Sequence, residues 1–251
     1  MFAYNILDME KKLVIIPTYN EIDNIEAIIR KVMSLDGEYN ILIIDDGSPD
    51  GTADVVKRLQ EEFVGRLDII ERSGKLGLGT AYLTGFKWAL DHGFDYIFEM
   101  DADFSHSPDD LPRLLEACKD RGADLSIGSR YCNGVSVVNW PIGRILISYF
   151  ASQYVRTVLG VNIYDTTAGF KCYTRKVLET IDLDAVKMKG YGFQIEMKYS
   201  AYKLGFKIEE VPVIFINRQL GASKMSSGIF GEAFWGVINL RFRKIKPKAT
   251  V

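Results

Sequence analysis

Two aspartates spaced one residue apart follow a short apolar run near the middle of the chain. The run YIFEM leads into Asp101 and Asp103, with Ala102 between them. Carboxylates this close repel each other, so a bound cation would stabilise the pair. Mg²⁺ and Mn²⁺ accept carboxylate oxygens together with phosphate oxygens and water, an arrangement that suits a nucleotide diphosphate. The pair therefore predicts a divalent-metal site, and the competing interpretation is a turn cap at Asp103 beside a solvated strand end at Asp101.

Two earlier apolar runs also end in polar motifs. The run KLVII is followed by PTYNE, residues 17–21, and NILII is followed by DDGSPDGT, residues 45–52. Asp45 and Asp46 could hydrogen-bond a ribose or a base, while the two glycines of the second motif allow tight turns. The string SPDG is equally an ordinary turn in which Asp50 or Thr52 caps the next helix.

The elements that must position these motifs alternate regularly. Short buried strands and amphipathic helices follow each other as far as residue 130, which predicts an α/β fold with a doubly wound, mostly parallel central sheet flanked by helices. Ligands in such sheets bind beyond the carboxyl ends of the strands, where the polar motifs lie. A strand is expected near KIEEVPVIFI, and helices are expected at about 22–32, 52–63, 80–92, 109–121, 139–160 and 193–204.

A glycine-containing stretch, SGKLGLGTAY, begins the helix expected at 80–92. Its glycine spacing fits neither a Walker phosphate loop nor the dinucleotide fingerprint. A tight loop passing over a bound ligand is favoured, and a simple helix entry is the alternative.

The composition excludes some functions. The 251 residues carry a net charge of −2 at pH 7, which argues against a protein coated in nucleic acid. Cys118, Cys132 and Cys172 lack metal-ligand spacing and are interpreted as reduced packing residues. The N-terminus does not resemble a secretory signal and no long uncharged apolar run is present, so a cytoplasmic protein with only peripheral membrane contact is expected.

Two segments predict amphipathic helices in the C-terminal half. In residues 142–159, polar side chains recur every four residues beside a broad apolar face, and the final basic segment RFRKIKPK follows a second apolar helix. Such helices suit the surface of an anionic bilayer. The alternative is that their apolar faces pack against the domain or a partner subunit.

Six motifs together resemble one family. PTYNE, DDGSPDGT, KLGLGTAY, MDAD, GSRY and NRQLGASK occur in the order found in the dolichyl-phosphate (polyprenyl-phosphate) mannose synthases, which are family 2 glycosyltransferases of GT-A fold. The resemblance extends from about Leu13 to Lys224. Because the chain lacks the trailing transmembrane helices of some members, it resembles the soluble catalytic-subunit type, for which a small membrane-anchoring partner is expected.

The resemblance implies a reaction and a site. Mannose would pass from GDP-mannose to the phosphate of a polyprenyl phosphate with inversion at the anomeric carbon, with Mg²⁺ or Mn²⁺ held by Asp101 and Asp103. Catalytic roles would fall to Asp103, Arg130, Arg218 and Lys224. The substrate-binding residues would be Pro17, Tyr19, Glu21, Ile44, Asp46, Asp101, Ala102, Asp103, Arg130, Arg144, Arg218 and Lys224. Ser105 stands where some relatives have glutamine, which puts its contact with the metal in doubt.

The domain organisation and four further residues complete the expectations. One domain is expected over 1–251, with a nucleotide-sugar half at 13–130, an acceptor half at 131–226 and an amphipathic basic segment at 227–251. Asp165 and Glu196 could orient mannose hydroxyls or the acceptor loop, or be structural. His92 and His106 are interpreted as structural.

Two rival functions remain open at this stage. Another family 2 transferase would use UDP-glucose or another nucleotide sugar, or a saccharide acceptor, and a saccharide acceptor would require Glu196 as a base. A receiver-like module could hold Mg²⁺ around Asp45, Asp46 and Asp101, but this hypothesis leaves the second half of the chain unexplained.

Overall fold

The computed structural model describes residues 10–218 and 229–249, with the side chains of 229–233 left undescribed. The strands are β1 Lys12–Thr18, β2 Tyr39–Asp45, β3 Leu67–Glu71, β4 Tyr96–Glu99, β5 Leu125–Ser129, β6 Val137–Val138, β7 Lys171–Thr174, β8 Ile208–Pro212 and β9 Phe215–Ile216. The α-helices are α1 Ile25–Met33, α2 Thr52–Gln60, α3 Leu78–Asp91, α4 Leu111–Lys119, α5 Ile142–Leu159, α6 Arg175–Thr180, α7 Gly190–Lys203 and α8 Ile229–Phe242.

Seven of these strands form the central sheet, in the order β3-β2-β1-β4-β7-β5-β8. All neighbouring strands are parallel except β7, which runs antiparallel to both β4 and β5. The prediction of a doubly wound, mostly parallel α/β sheet is therefore confirmed.

Strand β1 lies in the interior of the sheet, between β2 and β4, and is buried on both faces. Leu13 and Ile15 pack into the apolar core on one side, while Val14 and Ile16 pack into the core on the other. This alternation follows from the two-residue period of side chains along a strand. A continuous apolar run is thus what a strand covered by helices on both faces requires.

The parallel order brings three strand ends to one edge of the sheet. Thr18, at the end of β1, pairs in register with Asp45 at the end of β2. On the other side of β1, the backbone N–H of Met100 donates to the carbonyl oxygen of Ile15 at 3.2 Å, so the chain leaving β4 arrives beside β1. Asp101 follows at once. PTYNE, DDGSPDGT and the aspartate pair therefore meet at one edge.

The strand expected near KIEEVPVIFI is present as β8, but the segment as a whole is divided between two sheets. β8 ends at Pro212, which has no backbone N–H to continue a ladder. The chain then crosses to a separate two-stranded sheet in which β9 pairs with β6. The N–H of Ile216 also donates to the carbonyl oxygen of Ser105 at 3.0 Å, which ties this small sheet to the loop that carries the aspartate pair.

Helix α5 has its apolar side chains on the outside for much of its length. Ser152, from the predicted polar stripe, is 1% exposed, whereas Ile142 and Phe150 are 76% and 62% exposed. Helix α8 is divided, because Val237 and Leu240 are buried in the core while Trp235 is exposed. Among the described residues, no helix combines the length and hydropathy needed to cross a bilayer.

Candidate active site

The aspartate pair lies directly after β4, at the edge where the strand ends meet. Ala102, between the two aspartates, is buried. The carboxylate of Asp103 accepts a hydrogen bond from the backbone N–H of Ser105 at 3.0 Å, and a second from the Ser105 hydroxyl. Ser105 therefore fixes the orientation of the Asp103 carboxylate. Its short side chain places the hydroxyl within hydrogen-bonding distance of that carboxylate.

The electrostatics of the pair favour a cation. Burial and the negative charge of Asp103 raise the pKa of Asp101 to about 7. Burial also opposes ionisation of Asp103, but hydrogen bonds from Ser105 and Arg218 outweigh it and lower the pKa of Asp103. One carboxylate is thus stabilised in its charged form, and the other would be stabilised by a bound metal ion.

Arg218 reaches this site from the far end of the chain. Its Nε donates to Asp103 Oδ2 at 2.8 Å and its Nη2 donates to Glu21 Oε1 at 3.0 Å. We call Glu21, Asp101 and Asp103 the acidic rim. In the described part of the chain, no group of three or more His, Cys, Asp or Glu side chains is arranged as a complete metal site. Two carboxylates fit Mg²⁺ or Mn²⁺ when substrate phosphates and water supply the other ligands.

The residues expected around the base and ribose surround the same edge. Pro17 lies in β1 and pairs in register with Ile44 of β2, which is fully buried. Tyr19 follows β1, and the ammonium group of Lys75 lies 5.2 Å from the centre of its ring. Lys75 belongs to the stretch SGKLGLGTAY, so one side chain of this loop reaches Tyr19 at the edge of the sheet.

Asp45 and Asp46 have different surroundings. Asp45 accepts a hydrogen bond from Thr18 Oγ1 at 2.8 Å and another from the N–H of Ser48 at 2.8 Å, so it organises the turn. These contacts assign Asp45 a structural role in the turn, and its contact with a ribose or base stays a prediction. Asp46 is paired with Arg72, whose Nε donates to its carboxylate at 2.6 Å, and both side chains are almost buried.

Gly47, which follows Asp46, is required by the backbone. Its φ of +68° lies in the left-handed region, and a Cβ added there would meet the carbonyl oxygen of Arg72 at 3.2 Å. The glycine thereby lets the turn approach the residue that pairs with Asp46.

Arg130 leaves β5 and is held by a buried aspartate. Its backbone N–H, Nε and Nη2 donate to the Asp165 carboxylate at 3.0, 2.7 and 2.6 Å, and Nη2 also donates to Thr167 Oγ1 at 2.8 Å. Asp165 is fully buried and Arg130 is 7% exposed. Burial alone would raise the pKa of Asp165, but the charge of Arg130 and its hydrogen bonds lower it. Asp165 is thus a positioning residue for Arg130.

Arg144 lies in the first turn of α5 and is exposed. Its guanidinium lies 4.0 Å from the centre of the Trp140 ring, and its Nη1 donates to Asn217 Oδ1 at 2.9 Å. The Trp140 ring is also 5.5 Å from the Arg130 guanidinium. The sequence alone did not single out Trp140, although an aromatic residue four positions before an arginine at the start of a helix is a recognisable signal.

Arg130 and Arg144 line one cavity of about 470 Å³. Its wall is otherwise mainly apolar and includes side chains from α5, α7 and α8. The lining residues are Arg130, Trp140, Arg144, Ile147, Ser148, Phe150, Ala151, Tyr154, Val155, Thr167, Tyr191, Ile195, Phe234 and Val237. Such a space can hold an apolar ligand that carries an anionic group.

Several other candidates prove to be structural. Glu196 accepts hydrogen bonds from the backbone N–H groups of Lys187 and Met188, at 3.1 and 2.7 Å, and forms an ion pair with Arg243. His106 is buried against the ring of Phe170, and burial lowers its pKa to about 4.

The remaining candidates divide between packing and the undescribed segment. The ring of His92 stacks on Trp88 at the end of α3. Cys118 and Cys172 are buried free thiols. Lys224, expected at a substrate phosphate, lies outside the described residues.

Comparison with known proteins assigns the family. The family model described as glycosyl transferase family 2 matches residues 13–182. A polyprenol monophosphomannose synthase from Mycolicibacterium smegmatis is 48% identical over 233 residues, covering 91% of this chain and 88% of the relative. An undecaprenyl-phosphate mannosyltransferase from Micrococcus luteus is 47% identical over 230 residues, covering 90% of this chain and 93% of the relative.

Solved structures support the fold. A glucosyl-3-phosphoglycerate synthase from Mycobacterium tuberculosis, in complex with Mn²⁺, uridine diphosphate and glucosyl-3-phosphoglycerate, superimposes with a TM-score of 0.64 at 19% identity, over 92% of this chain and 78% of that one. The complex of a glucosyl-3-phosphoglycerate synthase with Mn²⁺, uridine diphosphate and phosphoglyceric acid gives a TM-score of 0.69 at 16% identity, over 93% and 79%. The fold and the two close relatives agree, and the chain belongs to glycosyl transferase family 2 and, within it, to the polyprenyl-phosphate mannose synthases.

Proposed function

We propose that the protein transfers mannose from GDP-mannose to the phosphate of a polyprenyl phosphate, with inversion at the anomeric carbon. The observation that carries the proposal is the cavity with two guanidinium groups in a mainly apolar wall. A phosphate on an isoprenoid chain combines the same two properties. Arg144 in this wall is bound to Asn217, which directly precedes Arg218 at the acidic rim. The names of the two relatives that are nearly half identical to this chain support the same substrate class.

The donor is assigned to the edge formed by β1, β2 and β4. Pro17, Tyr19, Glu21, Ile44 and Asp46 would surround the guanosine, and Ala102 would lie beside it, as the family resemblance implies. Asp101 and Asp103 would hold Mg²⁺ or Mn²⁺, which when bound would neutralise charge on the departing diphosphate. Arg218 already neutralises Asp103 and Glu21 in this structure. It would turn to the donor phosphates when the metal and nucleotide occupy the rim.

The acceptor requires orientation more than activation. A phosphate monoester has a second pKa near about 6, so it is largely ionised at neutral pH and needs no general base. Arg130 and Arg144 would bind the phosphate, since a planar guanidinium matches two phosphate oxygens. An acceptor oxygen would then attack the anomeric carbon from the face opposite the diphosphate. The carbon–oxygen bond to GDP would break as the new bond forms, and GDP would leave with the electron pair.

The surroundings of Glu196 favour a phosphate over a saccharide acceptor. A sugar hydroxyl would need a carboxylate to take its proton. Glu196, the expected candidate, is fully buried and bound to two backbone N–H groups and to Arg243. It is therefore committed to structure.

The acceptor is proposed to lie in a membrane. The protein would bind the cytoplasmic face of that membrane. On α5, Ile142, Ile147 and Phe150 are 76%, 58% and 62% exposed. On α8, which packs against α5, Trp235 is 66% exposed. Exposed apolar clusters of this kind are uncommon on proteins that remain in water. Three exposed lysines follow α8, namely Lys244, Lys246 and Lys248. They would add attraction to anionic lipids, at about 1 kcal/mol for each residue near the membrane surface.

A donor and acceptor panel tests the proposal. The purified protein is incubated with GDP-mannose or UDP-glucose, with a short polyprenyl phosphate or with the corresponding polyprenol, and with Mg²⁺ or Mn²⁺. We expect product only from GDP-mannose with the phosphate, and we expect chelation to stop turnover. Turnover with UDP-glucose alone would reject the donor, and equal turnover with the polyprenol would reject the role of the acceptor phosphate.

A further inference from the structure

The position of Arg144 is unusually well fixed for an exposed arginine. A long charged side chain in water normally retains much of its rotamer freedom, and ordering it costs up to about 2 kcal/mol. Arg144 is instead confined between the face of Trp140, at 4.0 Å, and the side-chain oxygen of Asn217, at 2.9 Å. Two contacts from separate parts of the chain therefore aim one guanidinium at the cavity.

Both contacts are anchored to the same small sheet, which consists of β6 and β9. Trp140 follows β6, and its ring meets the edge of Phe215 in β9 at 5.0 Å. Asn217 follows β9, and its backbone N–H donates to the carbonyl oxygen of Val138 at 3.0 Å. The supports of Arg144 thus depend on a short hydrogen-bonded unit and not on free loops.

The same unit also reaches the acidic rim. Arg218, the residue after Asn217, donates to Asp103 and Glu21. The N–H of Ile216 donates to the carbonyl oxygen of Ser105, whose side chain orients Asp103. The side chain of Asn217 bonds Arg144, and the side chain of Arg218 bonds the rim. Asn217 therefore faces the cavity arginine, while its neighbour faces the rim.

We propose that Trp140 and Asn217 are positioning residues that hold Arg144 for the phosphate group of the acceptor, at a spacing from the donor site set by the β6–β9 sheet. This inference rests on the proposed function. The face of the Trp140 ring holds the Arg144 guanidinium. The indole N–H plays no part in this, because it is buried and has no hydrogen-bond partner in the described part of the chain. A different aromatic ring should therefore serve in its place.

Steady-state kinetics of single variants tests the role. Trp140→Leu should raise the KM for a short polyprenyl phosphate about fivefold to tenfold, the range expected for loss of a partly desolvated cation–π contact. Asn217→Ala should raise the same KM by about tenfold or more, since it removes one hydrogen bond to a charged group. Trp140→Phe should retain most of the wild-type affinity. The KM for GDP-mannose should change less than twofold in each variant, which is well below the expected rise in the KM for polyprenyl phosphate.

The chain contains a matched control on the same helix. Arg156, near the other end of α5, lies 4.1 Å from the centre of the Tyr164 ring and donates to Asn162 Oδ1 at 3.3 Å. Tyr164→Leu and Asn162→Ala remove the same kinds of contact away from the cavity. These variants should leave the acceptor KM at its wild-type value.

A double-mutant cycle separates positioning from general structural damage. If Trp140 acts through Arg144, Trp140→Leu should add little to the acceptor KM once Arg144→Ala is present, because coupled residues are not additive. Full additivity, or an acceptor KM unchanged in Trp140→Leu, would overturn the inference. A wild-type protein that transfers no mannose to polyprenyl phosphate would instead overturn the proposed function, so the two failures are distinct.

Discussion

Replacement of Asp165 by asparagine should separate the structural from the catalytic role of the buried Arg130–Asp165 pair. The carboxylate is fully buried and accepts three hydrogen bonds from Arg130, at 2.6 to 3.0 Å. Removing one partner of a buried pair leaves the other charge uncompensated, which typically costs about 3–5 kcal/mol. We therefore expect Asp165→Asn to lower the free energy of unfolding by about that amount. Because the freed guanidinium also loses its orientation, we expect weaker acceptor binding.

Urea denaturation followed by circular dichroism measures the stability change, and the slope with denaturant should stay constant. The double variant Arg130→Met/Asp165→Leu supplies the sharper test. Buried ion pairs replaced by apolar side chains of similar volume often recover stability. We expect this protein to regain most of the lost stability and to remain inactive, since it has no cation at that position of the cavity.

An exposed ion pair provides the control. Arg121 and Glu209 are linked at 2.6 Å with side chains 40% and 29% exposed, so Glu209→Gln should cost less than about 1 kcal/mol and leave the kinetics unchanged. The reasoning would be refuted if Asp165→Asn were no more destabilising than this control. Wild-type turnover by the double variant would refute the role of Arg130.

Three further predictions concern the rim, a buried histidine and the exposed apolar surface. Asp103→Ala should abolish metal-dependent turnover while leaving the protein folded, as checked by circular dichroism; unaltered activity would contradict the metal assignment. His106 has a pKa lowered to about 4, below the ordinary value of about 6.5, so the unfolded chain binds its proton more tightly. The neutral His106 side chain therefore stabilises the fold fully above pH 6.5, and about 3 kcal/mol of stability is lost as the pH falls towards 4. His106→Gln should make the free energy of unfolding less dependent on pH over that range. An unchanged pH dependence in this variant would contradict the account. The double variant Trp235→Ser/Phe242→Ser should bind anionic vesicles more weakly than the wild type, with little loss of stability. Val64→Ser changes an apolar residue that is 79% exposed elsewhere, and it should bind vesicles as the wild type does. Equal binding by the wild type and both variants would count against membrane contact.

The alternating strands and helices were predictable from local patterns. Apolar runs indicate buried strands, and apolar residues at helical spacing indicate the buried face of a helix. The antiparallel course of β7 was not predictable. Its sequence KCYT shows no direction, and its place between β4 and β5 depends on pairings with residues far away in the chain. The division of KIEEVPVIFI between two sheets depends on the same kind of distant partner.

The candidate site was predictable where motifs lie at strand ends, as with Asp101 and Asp103. The structure was needed to pair Asp45 with Thr18 and Asp165 with Arg130, since these partners lie 27 and 35 residues away.

Binding of GDP with Mn²⁺ tests the central claim most directly. A crystal soaked with both should place the metal against Asp101 and Asp103, and the nucleotide along the edge formed by β1, β2 and β4. Arg218 should have left the Asp103 carboxylate. A nucleotide bound elsewhere, or at this edge with the metal remote from both aspartates, would contradict the account.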